Sequence, residues 1–423
     1  MDEREGALAA ALDQIRGVDL DEAAVLAHVM RPDHLLGVTS DRGREDVPSK
    51  DVFRPPLPVV VFYELDVNGF IRELEALLTG AVAGYSIRLT ENGSTIALVD
   101  QNWAKQPQDG SENWTPDTRM HVASLSKIVT AIAMTRLLDA AGIPPGTPII
   151  DYLPGYWVKG PNVDQITFAD LMTHTSGLAY GATNSRSDFE WMKSQIAAGT
   201  THIGDYSYQN MNFGLCRILL ATINGNIPVG WNLPGWFGPG ITDIFWDFIT
   251  IRAYASYVAT QVFAPADVTG PDFTHDAADA LAYNFPVNGN GWNSGDLTSM
   301  AGGAAWHMSV DELLKVMATF RRSGAIVSTA QAQAMLDDGF GIDWSVSTPL
   351  GRYYAKNGIW ENDSGQREQG VAFFLPLNME LVVLVNSPVG EGPMGQFLYT
   401  VVSDAYTAHI VEVPSPVAFA SPT

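Results

Sequence analysis

The chain carries a single cysteine, Cys216, in 423 residues. That excludes a disulfide framework and any C-x-x-C metal or redox site. Cys216 lies in the apolar, helix-like run NFGLCRILL, where a small buried core residue is expected rather than a catalytic thiol. Basic residues are also few, 24 against 47 acidic ones, for a net charge of −23. A surface that acidic repels phosphate backbones and anionic lipid, which argues against nucleic-acid and membrane-surface roles. No run approaches the roughly 18 uninterrupted apolar residues of a membrane span. The nearest, ITDIFWDFITIRAYASYV, is broken by Asp243, Asp247 and Arg252. The first residues, MDEREGALAA, lack the basic and apolar regions of a secretory signal. A cytoplasmic protein is therefore expected, or an exported one if a leader has been removed. HExxH, P-loop, GxSxG and EF-hand patterns are missing, and GNGWNSG at 289–295 misses the dinucleotide spacing. Neither metal nor cofactor is expected.

What is present suits a globular protein with a sizeable core: 46% hydrophobic and 17% charged residues. The length exceeds one usual domain, so two lobes or one large unit with an insertion is expected. Residues 1–55 read as an extension with two short helices. VNGFIRELEALLTG has a helix pattern, and Asn92-Gly93 between GYSIRLT and TIALVDQNWA signals a hairpin. From 148 to 300 the chain is helical and loop-rich. A helix with Ser309 and Glu312 as a capping box comes next. RYYAKNGIW, GVAFFLPL and ELVVLVNS then read as strands, with a last helix over about 393–411. The expected organisation is an α/β lobe from 56–147 and 301–412, an all-α lobe at 148–300, and a tail at 413–423.

In HVASLSKIVTAIAM, Ser124 occupies an ordinary helix-cap position, with Ile128, Val129 and Ile132 at helical spacing beyond it. Three residues on, where a capping box would place Glu or Gln, stands Lys127, one of only seven lysines. A cation there faces the positive end of the helix dipole at a cost of roughly 0.3–1 kcal/mol. Residues three apart share a helix face, so the amine can reach the Ser124 hydroxyl and activate it, whereas Ser126 points elsewhere. A capped helix with a solvated lysine is the bland alternative. Tyr208-Gln209-Asn210, ahead of another helix, offers a phenol and an amide. An adjacent ammonium could hold the phenol as phenolate to take a proton, and the amide could orient a carbonyl. Lys356-Asn357-Gly358, in a β-like segment, offers a cation beside a glycine that admits close backbone approach. Alone, these read as a turn before a helix and an edge-strand lysine with a bulge.

Together and in this order, the three motifs resemble the serine β-lactamase and penicillin-binding-protein superfamily, and within it the class C β-lactamase, DD-peptidase and esterase branch. PDTRMHVASLSKIVTAIAMTRLLDAAGI resembles that branch's nucleophile helix, ITFADLMTHTSGL its L-x-x-H-T-S-G-L loop, and GGAAWHMSVDELLKVM its Gly-Gly segment. The resemblance covers about residues 68–410. It implies an α+β fold, an antiparallel sheet flanked by helices with an inserted all-α lobe, and a site in the cleft between them. It implies Ser124 as acylated nucleophile, Lys127 as its partner, and Tyr208 as general base and then acid. Asn210 would contact the substrate, and Lys356 would support Tyr208 and bind a substrate carboxylate. The amides of Ser124 and Ile359 would form the oxyanion hole.

Two departures stand out. Asn357 replaces the threonine of Lys-Thr-Gly, which often helps to bind a carboxylate. Ile359 stands after Gly358 where many members have a small residue. His174 reads as a structural loop histidine, and His121 and His307 as packing or surface residues. The aromatic stretch 230–248 is a lid, helical core or a subunit contact. The expected activity is that of an esterase or amidase acting through an acyl-enzyme on a small ester, amide or peptide. The alternatives are a β-lactamase, a D-stereospecific carboxypeptidase or aminopeptidase, an acyltransferase using the same residues, or a ligand-binding homologue without turnover.

Overall fold

The computed structural model describes residues 14–15, 62–183, 186–237, 240–389 and 397–413. The expected 1–55 extension, apart from Gln14 and Ile15, and the tail beyond Val413 lie outside the described residues. The strands in chain order are β1 (Phe62–Leu65), β2 (Gly84–Glu91), β3 (Ser94–Lys105), β4 (Glu112–Asn113), β5 (Met120–His121), β6 (His307–Met308), β7 (Trp344–Thr348), β8 (Gly351–Glu361), β9 (Arg367–Leu375), β10 (Met379–Val385) and β11 (Ile410–Val413). The main helices are α1 (Val67–Leu78), α2 (Ser126–Ala141), α3 (Phe168–Met172), α4 (Phe189–Ala198), α5 (Asn210–Ile223), α6 (Ile241–Val258), α7 (Val310–Arg322), α8 (Thr329–Asp337) and α9 (Leu398–Ala408).

Seven strands form one antiparallel sheet in the order β4-β3-β2-β10-β9-β8-β7. Its β2–β3 turn has Asn92 and Gly93 at φ +51° and +80°, the left-handed pair that a two-residue hairpin demands. Both faces of the central strands are covered. Leu381, Val383 and Val385 of β10 join one core with Phe70 and Leu74 of α1 and Tyr406 of α9. Val382 and Leu384 join the other, with Ile128 and Ile132 of α2. A strand buried on both faces reads as a continuous apolar run, which is why MELVVLV does not alternate. The fold is α+β, an antiparallel sheet flanked by helices. Among the described residues, 122–306 hold helices, turns and isolated bridges but no sheet strand.

Two local expectations differ from the structure, and a third is narrowed. The helix after HVA begins at Ser126; Ala123–Leu125 is a 3-10 turn with Ala123 at φ +48°, and no side chain caps the helix. Ser124 is therefore a half-buried corner of a tight turn rather than a cap. The last helix ends at Ala408, and Ile410–Val413 pairs antiparallel with Phe62–Leu65. That strand's partner lies more than 340 residues away, so no local pattern could have revealed it. Of the aromatic stretch, Trp231, Phe245, Trp246 and Phe248 lie in the helical core, and the wholly buried Trp246 donates its indole N–H to the Trp231 carbonyl. α2 ends as expected, with Gly142 in the left-handed region at φ +67°. Ser309 and Glu312 do form a capping box. No described helix is long and apolar enough to cross a membrane.

The short β5–β6 pair positions the turn that bears Ser124. Met120 faces Met308 and His121 faces His307, and the Val122 amide donates to the Trp306 carbonyl at 3.0 Å. That turn is thereby sewn to the Gly302–Trp306 segment. The Trp306 amide closes the seam by donating to Ser126 Oγ at 3.1 Å. Ser126 is fully buried and structural, whereas Ser124 is partly open to solvent.

Candidate active site

Lys127, at the start of α2, is completely buried, yet among the described residues no carboxylate pairs with it. Its Nζ lies 2.9 Å from Ser124 Oγ, 2.6 Å from Asn210 Oδ1 and 2.8 Å from the Gly303 carbonyl. Desolvation, reinforced by the positive charge of Lys356, pushes its pKa well below the ordinary lysine value. A neutral amine fits this cage: two N–H bonds go to Asn210 and Gly303, and the lone pair then faces the Ser124 hydroxyl.

Tyr208, just before α5, donates its hydroxyl to Ser124 Oγ at 2.6 Å. The Lys127 and Lys356 side-chain nitrogens lie 4.9 and 5.1 Å from its ring centroid. Desolvation first, then the negative charge of Asp343, pushes the phenol pKa upward, so Tyr208 rests neutral. The phenolate that a neighbouring ammonium was expected to hold is not favoured here.

Lys356 comes from β8 and is buried. Its Nζ donates to both carboxylate oxygens of Asp343, at 2.8 Å each, and the Asn357 amide donates to the same carboxylate at 3.1 Å. The cation expected to receive a substrate carboxylate is therefore already neutralised. Asp343 is invisible in the sequence because nothing local marks it. The β7–β8 hairpin, with Trp344 opposite Ala355, carries it beside Lys356. Gly303 belongs to the Gly-Gly segment, but its role as acceptor for Lys127 appears only in three dimensions.

Gly358 explains its own identity. A Cβ there would lie 2.4 Å from the Val122 carbonyl oxygen and 3.1 Å from the Ser124 amide nitrogen. Only a glycine lets β8 press against the nucleophile turn. The next residue, Ile359, is partly exposed, as are Asn357, Ser124 and Tyr208.

His174 makes no triad. Its ring lies 4.3 Å from that of Tyr208, and the Gln209 amide donates to its Nδ1 at 3.3 Å. Burial and the two nearby lysines hold its pKa well below the ordinary histidine value, so it stays neutral. His121 is a buried partner of Glu368 at 2.9 Å, its pKa lowered by burial to about 4. Cys216 is buried, and burial raises its thiol pKa, consistent with an inert core position.

Residues 68–230 match the Beta-lactamase family model. That match supports the serine β-lactamase and penicillin-binding-protein superfamily. The Bacillus subtilis (strain 168) "Putative penicillin-binding protein PbpX" is 21% identical over 235 residues, 54% of this chain and 52% of that protein. The chain spans about half the length of the curated relative it matches. Among solved structures, the D-amino acid amidase from Ochrobactrum anthropi SV3 superposes with a TM-score of 0.56 at 15% identity, covering 80% of this chain and 98% of the amidase. EstCE1, a hydrolase with promiscuous acyltransferase activity, gives 0.56 at 15% identity, covering 80% of this chain and 99% of EstCE1. At such identities these two structures establish the shared fold.

Proposed function

We propose that this chain is a serine hydrolase that forms an acyl-enzyme through Ser124, acting on esters or amides with no carboxylate beside the scissile bond. The observation that carries the reading is Ser124 Oγ lying between Lys127 Nζ at 2.9 Å and the Tyr208 hydroxyl at 2.6 Å, on a turn partly open to solvent.

The hydrogen-bond pattern supports one order of proton transfers. Ser124 Oγ attacks the carbonyl carbon while its proton passes to the neutral amine of Lys127. The Ser124 and Ile359 amides would stabilise the oxyanion, a role supported by the close approach of Gly358 to the Ser124 amide. As the tetrahedral intermediate collapses, the C–O or C–N bond to the leaving group breaks and Tyr208 gives that group its proton. The Lys127 proton then restores the phenol through the vacated space. In deacylation, water attacks the acyl carbon, gives up its proton through the same pair, and releases the acid and Ser124. Tyr208 thus acts as acid first, reversing the order implied by family resemblance. Asn210 holds Lys127 rather than the substrate. Lys356, locked to Asp343, steadies the Tyr208 region and binds no anion.

The substrate class rests on that ion pair. A carboxylate entering near Lys356 meets a cation already balanced by Asp343 and so gains little there. The amidase of similar fold was crystallised with L-phenylalanine amide, a ligand without a carboxylate, and that precedent supports the reading. The test is intact-mass spectrometry after exposure to a fluorophosphonate, with Ser124→Ala and Ser126→Ala variants. Labelling should vanish in Ser124→Ala and persist in Ser126→Ala. The reverse result overturns the assignment.

A further inference from the structure

Behind the nucleophile turn, on the far side of the β5–β6 pair, two histidines and an aspartate converge without explanation from the chemistry above. His307 is fully buried, and among the described residues neither ring nitrogen makes a well-formed hydrogen bond, although the backbones of Asp272 and Ala305 lie close to the ring. His275 Nδ1 is also buried and unpartnered among them. Asp279 is 3% exposed, and its Oδ2 lies 3.9 Å from His275 Nδ1. One donor atom from each of the three residues lies within 4.8 Å of the other two. A buried imidazole without well-formed hydrogen bonds leaves its desolvation uncompensated, so something besides packing is expected to fill this place.

We propose that His275, Asp279 and His307 bind a divalent transition metal of the zinc class. Two imidazoles and one carboxylate are a borderline donor set that suits Zn²⁺ and is poor for Mg²⁺ or Ca²⁺, which want oxygen ligands. A tetrahedral Zn²⁺ at about 2.0–2.1 Å from each ligand places ligand atoms about 3.3 Å apart, so the donors close by roughly 1.5 Å or less. Backbone bonds hold both ligand-bearing segments. The His307 amide donates to the Asp272 carbonyl at 2.9 Å and the His275 amide to the Gly295 carbonyl at 3.2 Å. The Asp276 amide donates to Asp279 Oδ2 at 3.0 Å, which fixes the carboxylate.

The nearby charges do not oppose a cation. Lys105 is paired with Glu112 and Arg119 with Glu312, so each cation beside the cluster carries its own carboxylate. His121 is excluded as a ligand because both its nitrogens are taken, by Glu368 and by the Ala304 carbonyl. A surface cavity of about 300 Å³, lined by Asp117, Arg119, Asp276, Asp279 and Glu312, gives an ion an acidic approach. The role is structural. His307 opposes His121, three residues before Ser124, so the ion ties the 272–279 loop to the strand pair that seats the nucleophile turn.

The test uses the full chain, stripped with a chelator and titrated with Zn²⁺ alone by calorimetry, with melting followed in parallel. One equivalent should bind and raise the melting temperature. His275→Ala and Asp279→Asn should each weaken binding about tenfold or more. Asp164→Asn, an exposed acid with no part in the cluster or its ion pairs, should not. The Co²⁺-loaded wild-type chain should give the intense visible bands of a four-coordinate site, a readout that needs no variant. No stoichiometric binding, wild-type affinity in either ligand variant, or an aquo-like Co²⁺ spectrum overturns the proposal.

Discussion

Asp343 holds Lys356 through both carboxylate oxygens, at 2.8 Å each, and takes a third hydrogen bond from the Asn357 amide. The strand cation that could greet an anionic substrate is thereby spoken for, and what remains is a balanced ion pair rather than a free positive charge.

Asp343→Asn should therefore shift selectivity. The neutral amide keeps the Asn357 contact but frees the Lys356 charge. The ratio of kcat/KM for a p-nitrophenyl hemisuccinate to that for p-nitrophenyl butyrate should rise roughly tenfold, the effect of about 1.4 kcal/mol. An unchanged ratio would show that Asp343 does not filter charge. Chromogenic cephalosporin turnover in the wild type should stay far below ester turnover.

The depressed pKa of Lys127 has a signed consequence for stability. In the unfolded chain this lysine binds its proton up to the ordinary lysine range, while in the folded chain it releases it well below. Between those two values the unfolded state holds more protons, so stability rises as pH falls only if the folded state holds more; here it rises with increasing pH. Below the folded value the penalty of burying the charge is present in full. Urea melts of wild type and Lys127→Met over that range should differ in slope, with the stability of wild type gaining on the variant as pH increases. Parallel slopes would mean that Lys127 stays charged when buried. The same deprotonation should set the acid limb of kcat/KM, and Tyr208, raised by desolvation, should add no alkaline limb near neutrality.

Gly358→Ala should cripple acylation with a smaller cost in stability. Its methyl would sit 2.4 Å from the Val122 carbonyl oxygen and displace the turn that presents Ser124. Overpacking of this kind costs about 1–3 kcal/mol, while a misplacement near 1 Å can lower rate about a hundredfold. Fluorophosphonate labelling rates and thermal melts on one preparation separate the two effects.

Trp246→Ala decides how the aromatic segment is used. As a wholly buried side chain in the helical core, its loss should cost about 3–5 kcal/mol. KM for short and long acyl esters should change in parallel where the protein remains folded. A selective loss on long acyl chains would reassign the segment to substrate contact.

The sequence by itself determined whatever is local or carried by composition. The S-x-x-K spacing places Lys127 on the face of Ser124 because a helical turn brings residues three apart together. The Asn92-Gly93 hairpin, the Gly142 stop and the Ser309/Glu312 box arise from backbone preferences that need no distant partner. Acidic composition and a single cysteine narrowed the classes of partner and chemistry.

Only the tertiary structure decided the rest. Whether Ser124 caps a helix or stands on a tight turn depends on Trp306 and Gly358, far along the chain. The protonation states of Lys127 and Tyr208 depend on desolvation and on Asp343, none of which is encoded in their own neighbourhoods. The pairing of β1 with β11 and the meeting of His275, Asp279 and His307 likewise join segments that only chain closure brings together. Short-range geometry fixes which groups can react; long-range packing sets the field in which they do so, because burial and charge are properties of the assembled interior.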